Sequence, residues 1–216
     1  MDRTMKIWDL PIRLFHWLLA ALIVFSCWAH EDHLDWHRLS GFAIAGLLVF
    51  RLWWGLAGSS TARFSSFLKS PAGVLAYLRG AAAGPGHNPL GGWSVVAMLL
   101  ALTLQVGLGL FSVDQDGFES GPLSRFVDFE TGRLAAAGHG LVFNLLVGLI
   151  VLHLLAIGWY GVRRKNLVGP MITGKAALPD GGPDLQPAPA WKLLVGLGLG
   201  LATSGGLYML ERASSL

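Results

Sequence analysis

Four histidines stand inside apolar stretches of this chain: His16, His37, His139 and His153. Imidazole is costly to place in hydrocarbon, so a histidine within a membrane segment is a functional candidate by default. His139 and His153 share one apolar segment and lie fourteen residues apart. On a helix that spacing is ~21 Å along the axis and only about 40° around it. One helix therefore offers two ligands on one face, near opposite membrane surfaces. Two stacked haems require this arrangement. The competing reading is structural, because a single membrane histidine is as readily an interhelical hydrogen-bonder. Four that pair by depth are much harder to obtain by accident.

The composition demands a membrane setting for these residues. Of 216 residues, 53% are hydrophobic and 13% charged, whereas a soluble domain averages ~25% charged. The mean hydropathy is +0.55. The single cysteine, Cys27, lies in an apolar run. It excludes an internal disulfide, a covalent CxxCH haem and a cysteine-ligated iron–sulfur cluster. Any haem is then non-covalent and histidine-ligated. No small-residue cleavage site follows the first apolar run, so that run is expected to remain as a helix. A pI near 9.3 reflects basic loops on one membrane face, not nucleic-acid binding.

A span needs ~20 mostly apolar residues. Five are expected: Ile12–Ala29, Trp36–Leu56, Trp93–Ser112, Ala135–Tyr160 and Trp191–Leu210. The fold class is an all-α membrane protein, a four-helix bundle holding two haems b plus a fifth, C-terminal helix. The expected division is a di-haem bundle over 1–175, a Pro/Gly-rich linker over 176–190 and the extra helix over 191–216. Residues 63–79, interrupted at Pro71, form an amphipathic stretch suited to the membrane surface. The fifth span has no histidine and resembles an appendage. Its glycines suit close packing on a neighbour, and a simple anchor explains them equally well.

Loop charge sets the orientation. Arg3, Lys6 and Arg13 precede the first span, Arg63, Lys69 and Arg79 follow the second, and Arg163, Arg164, Lys165 and Lys175 follow the fourth. The positive-inside rule makes that side cytoplasmic, in a bacterial inner membrane with the N-terminus inside and the C-terminus periplasmic. The opposite side is acidic, with Glu31, Asp32, Asp35, Asp114, Asp116, Glu119, Asp128 and Glu130. His16 and His153 then lie toward the inside, and His37 and His139 toward the outside. Two pairs at two depths make two bis-histidine haem sites, as helix bundles build cofactor sites from facing helices. Gly41, Gly46, Gly140 and Gly148 lie on the ligand-bearing helices, where they can make room for flat macrocycles.

Other residues weigh less. Arg51 follows His37 by fourteen positions, so it faces a similar direction near the inner surface. It pairs there with a haem propionate or snorkels to the headgroups. His30 and His33 are expected in solvent, with His30 a substitute for His37, and loop residue His87 is expected to bind no iron. Trp53, Trp54 and Trp93 are quinone-site candidates, although tryptophan is enriched at membrane interfaces anyway. Gln105 faces either a cofactor or a neighbouring helix.

Several motifs together carry a family resemblance. Trp8-Asp9-Leu10-Pro11-Ile12-Arg13-Leu14-Phe15-His16-Trp17, His37-Arg38-Leu39-Ser40-Gly41, Arg51-Leu52-Trp53-Trp54-Gly55-Leu56-Ala57-Gly58 and Gly86-His87-Asn88-Pro89-Leu90-Gly91-Gly92, with His139 and His153, resemble bacterial cytochromes b561 related to the b-type subunits of nickel–iron hydrogenases. The resemblance covers about residues 5 to 175. It implies a four-helix bundle with two haems b, His16, His37, His139 and His153 as axial ligands, and electron exchange between membrane quinone and a partner redox protein. The fifth span departs from that pattern and leaves the partner open.

Haem with imidazole on both faces has no open position, which favours outer-sphere electron transfer over oxygen chemistry. The leading expectation is an electron-transfer cytochrome embedded in lipid, connecting quinone or quinol with a c-type cytochrome on the acidic side. Acidic loops steer a basic partner. A second is the membrane anchor of a hydrogenase-type oxidoreductase, with its partner subunit on the outer face. A third is a stand-alone superoxide:quinone oxidoreductase, ranked lower because an acidic face repels an anion. A non-redox scaffold requires all four histidines to be structural.

Overall fold

The structure is a computed structural model, and it describes residues 3–80, 86–116, 119–178 and 185–214. Among these, five helices are long and apolar enough to cross a membrane. They are α1 (Leu10–Ala29), α2 (Leu34–Ala57), α5 (Pro89–Phe111), α6 (Phe129–Val162) and α8 (Ala190–Ser214). The short helices α3 (Phe64–Phe67) and α4 (Pro71–Leu78) occupy the expected amphipathic stretch, and α7 (Val168–Thr173) follows α6. Successive spans run antiparallel. One end of the bundle carries Arg13, Lys69, Arg163 and Lys165, and the other carries Asp32, Asp35, Glu119 and Asp128. They are called here the basic and acidic ends.

Local chemistry starts the helices. The Asp9 carboxylate accepts from the Ile12 amide at 2.8 Å, with Pro11 in the first turn of α1. Asn88 accepts from Gly91 N at 2.7 Å ahead of α5, and Asp128 accepts from Thr131 N at 2.8 Å ahead of α6. Each side chain satisfies an amide that has no partner within its helix. These caps lengthen the sequence-based spans: α5 begins at Pro89, not Trp93, and α6 at Phe129, not Ala135.

The most buried span is α2, flanked by α1, α5 and α8. Its Ile44, Leu48, Phe50 and Trp54 join Phe15 and Leu19 of α1 and Leu99 and Leu102 of α5 in the core. The outward faces keep large apolar side chains such as Val24, Leu56, Leu141 and Leu155 exposed, as suits a lipid solvent. The chain is thus a multi-pass membrane protein.

Two expectations are corrected. Residues 176–178 are not linker. Lys175–Leu178 forms strand β2, antiparallel to β1 (Arg3–Lys6), with Met5 opposite Ala176. The pairing continues past the strands, where Ile7 N donates to Gly174 O at 2.8 Å. Four-residue strands carry little periodic signal, so only their closure across the basic end reveals them. Of the remaining linker, residues 179–184 lie outside the described residues, as do 215–216 of the C-terminal segment. Of the two readings of the fifth span, close packing of its glycines is the one that α8 displays. It packs along α2, where a Cβ on Gly200 would stand 2.8 Å from Gly46 O. Gly46 therefore makes room for a helix, not a macrocycle. Among the described residues, a Cβ on Gly41, Gly140 or Gly148 would meet nothing within 4 Å.

Candidate functional site

The bundle brings the four histidines together as two pairs. His16 of α1 and His153 of α6 lie toward the basic end, their ring centroids 6.5 Å apart and their planes at 52°. His37 of α2 and His139 of α6 lie toward the acidic end, with centroids 6.1 Å apart and planes at 82°. All four rings are half-buried. An iron bonded to one nitrogen of each imidazole at about 2 Å spaces two ring centroids by roughly 6 Å. Both separations fit a shared metal, and they also lie within the range of an ordinary pair of interacting rings. α6 packs chiefly on α5 and makes only slight contact with α1 and α2, so the histidine pairs lie between helices that are not closely packed.

The rings of the acidic-end pair are held by hydrogen bonds at Nδ1. Nδ1 of His37 lies 3.0 Å from Ser26 O and 3.0 Å from Ser26 Oγ. Nδ1 of His139 lies 2.9 Å from Gln105 O. A carbonyl accepts only, so each Nδ1 carries the proton and each Nε2 keeps its lone pair. A neighbouring carbonyl commonly fixes the tautomer of a metal-binding histidine in this way. The Gln105 amide nitrogen lies 3.0 Å from His139 Nε2 and donates to that lone pair, the one an iron would take. Gly109, one turn beyond Gln105 on α5, lets the helix approach: a Cβ there would lie 2.9 Å from His139 Cε1. Gln105 thus faces a neighbouring helix through a histidine. Ser26 and Gly109 carry no ligand chemistry of their own and were not legible as site residues.

At the basic end, His16 Nδ1 is enclosed and has no hydrogen-bond partner among the described residues. Arg51 is buried, at 4% exposure, so it does not snorkel to headgroups. Its guanidinium donates to Ala62 O at 3.3 Å and lies 4.7 Å over the Phe64 ring. The neighbouring Asp9 spends one oxygen on its cap and the other on Trp54 Nε1, at 2.9 Å.

His87 is the residue that sequence reasoning undervalued. Gly86, at φ +90°, turns the chain in a conformation that favours glycine, and Asn88 and Pro89 then start α5. Between them the His87 ring is held against Trp8, at 4.7 Å, and Phe67, at 4.9 Å. Its Nδ1 is enclosed, with no hydrogen-bond partner among the described residues. Burial, then the Arg51 cation, then His153 and His16 push its pKa down to about 4, so it stays neutral at physiological pH. Beside it, Asn88 Nδ2 donates to Tyr160 Oη at 2.8 Å, and Tyr160 and Tyr77 share a bond of 3.3 Å. The Tyr77 hydroxyl is held above its usual pKa by that bond to Tyr160. Tyr160 lies seven residues after His153 on α6, two turns on and on the same face.

The tryptophans have other duties. Trp53 Nε1 donates to Lys192 O at 2.8 Å and Trp93 Nε1 to Lys69 O at 3.0 Å. With Trp54 committed to Asp9, all three indoles spend their donor within the protein. His30 lies 6.5 Å from His37, but its side chain is 58% exposed and its Nδ1 is held by Cys27 O at 3.0 Å. It therefore stands on the solvent side of the pair.

A family model described as prokaryotic cytochrome b561 matches residues 7–174, a stretch that includes α1 to α7 and both histidine pairs. No curated protein and no solved structure matches the chain. With the match covering most of its length, the chain belongs to the prokaryotic cytochrome b561 family and is a membrane-embedded b-type cytochrome of electron transfer.

Proposed function

We propose that this cytochrome carries electrons across the membrane through two bis-histidine haems b, between the quinone pool and a redox protein at the acidic end. The observation that carries the reading is the pair of histidine couples, at 6.5 and 6.1 Å, toward opposite ends of one bundle. His16 and His153 would hold one haem, and His37 and His139 the other. When bound, each haem would supply one-electron chemistry. The remaining work belongs to the chain. Ser26 and the Gln105 carbonyl leave the lone pairs of His37 and His139 on Nε2, where iron would have to displace the Gln105 amide from His139, and α6 sets the separation between the two sites. Arg51 supplies a buried cation at the basic end, suited to a haem propionate.

The positive-inside rule puts the basic end in the cytoplasm, with the N-terminus inside and the C-terminus of α8 in the periplasm of a bacterial inner membrane. At the inner end, Tyr160, Tyr77 and Asn88 group hydroxyl and amide donors two turns from His153. Neutral His87 lies beside them. Such donors suit quinone oxygens better than the committed tryptophans do. At the outer end, Asp32, Asp35 and Glu119 line one open cavity, and carboxylates there steer a basic protein such as a c-type cytochrome.

The test is a reduced-minus-oxidised spectrum with a pyridine haemochrome count. Two haems b per chain are expected. His16→Ala and His153→Ala should each lose one haem, and His37→Ala and His139→Ala the other, with identical residual spectra inside each couple. One haem in the unaltered chain, or residual spectra that pair differently, would overturn the assignment.

A further inference from the structure

Helix α8 lies outside the stretch matched to the family, yet it is joined to α2 from end to end. At the basic end Lys192 O accepts from Trp53 Nε1 at 2.8 Å. At mid-span Gly46 and Gly200 bring the two backbones together, and Ser204 Oγ donates to Phe42 O at 2.8 Å. At the acidic end Glu211 Oε1 accepts from Arg38 at 3.1 Å, with both side chains largely covered, at 19% and 22% exposure. A second carboxylate, Asp35, lies 3.9 Å from Arg38 but is 98% exposed, so solvent screens it strongly.

Arg38 directly follows His37, the α2 member of the acidic-end pair. Its charge is therefore part of that site's electrostatic surroundings. The helix that neutralises it is the one that the family match does not include. Ferric haem carries one positive charge more than ferrous haem. A bare cation nearby favours the ferrous form, and a carboxylate on that cation cancels the preference. Partial burial keeps such charges from being fully screened.

We infer that Glu211 of α8 is a positioning residue for the acidic-end haem: by holding and neutralising Arg38 beside His37, it keeps that haem's midpoint potential low. The inference rests on the two-haem reading above. Its consequence is that α8 tunes the site instead of serving only as an anchor.

The experiment is a potentiometric titration of the purified full chain in detergent, with the haem count taken on the same samples. Glu211→Gln should retain the unaltered chain's haem count and shift one midpoint potential upward while the other stays in place. Glu211→Asp should lie between the two. Arg38→Gln should shift the same potential downward, and adding it to Glu211→Gln should bring the potential back toward the starting value. A purely structural role gives no such pair of opposite signs. Unchanged potentials in Glu211→Gln with two haems retained would overturn the inference and leave the two-haem reading standing. A single haem in the unaltered chain would instead remove that reading. If Glu211→Gln fails to fold, Arg38→Gln alone decides, and an unmoved or raised potential counts against the inference.

Discussion

An acceptor on one nitrogen of an imidazole fixes which nitrogen keeps its lone pair. The Ser26 and Gln105 carbonyls do this for His37 and His139, and the Gln105 amide nitrogen also lies on the His139 Nε2 lone pair. Gly109 contributes by what it lacks. A methyl group there would press on His139 Cε1 at 2.9 Å, and the ring, held by its Nδ1 bond, can yield only by losing that bond or its alignment. Gly109→Ala is expected to lower the occupancy of one haem and to alter its low-spin electron paramagnetic resonance signal, with the other signal unchanged. Two unaltered signals at full occupancy would show that the close approach at Gly109 does not constrain the ring. The four histidines were legible because they are polar in apolar runs. Their supporting partners were not, since a carbonyl is present at every residue and only packing selects which one is used.

Helices turn these residues into a site by passing more than one level of the bundle. α1 places His16 toward the basic end and Ser26 at the acidic-end pair. α5 places Asn88 beside Tyr160 and, farther along, Gln105 and Gly109 beside His139. α6 carries one histidine of each couple. Its ligand spacing follows from helical geometry alone, which is why depth pairing could be argued before any contact was known. α8 shows the opposite case. Its glycines are compatible with anchoring or with packing, and only the Gly46–Gly200 approach decides. Gly200→Val places side-chain atoms against the Gly46 backbone and should destabilise the α2–α8 contact by ~1–3 kcal/mol, the usual cost of overpacking. The measurement is thermal unfolding of the detergent-solubilised protein followed by loss of the haem absorbance. An unchanged midpoint would mean that the helices separate at little cost.

Across the whole molecule, charge is divided between two ends with an apolar body between them. The acidic end carries Asp32, Asp35 and Glu119 around one cavity. Electron transfer to a basic c-type cytochrome should therefore slow steeply as salt rises, because the screening length falls from ~10 Å at 0.1 M to ~3 Å at 1 M. Stopped-flow oxidation of the reduced protein at graded ionic strength is the check. A flat response, or no change in the salt dependence on combining Asp32→Asn, Asp35→Asn and Glu119→Gln, would remove the electrostatic basis for that partner.

Membrane residence, the five spans, the position of the four histidines and their pairing by depth follow from the order of residues. Each rests on local hydropathy or on the fixed rise of a helix, and neither quantity depends on the rest of the fold. Other features required the tertiary structure. His87 reads as a loop residue until Trp8 and Phe67 enclose it, and Arg51 reads as a propionate partner or a snorkelling cation until Ala62 and Phe64 cover it. The strand pair joining Arg3–Lys6 to Lys175–Leu178 and the seating of α8 on α2 likewise bring together segments far apart in the chain. Burial and hydrogen-bond partnership are set by what arrives from elsewhere, and no local pattern of residues encodes that arrival.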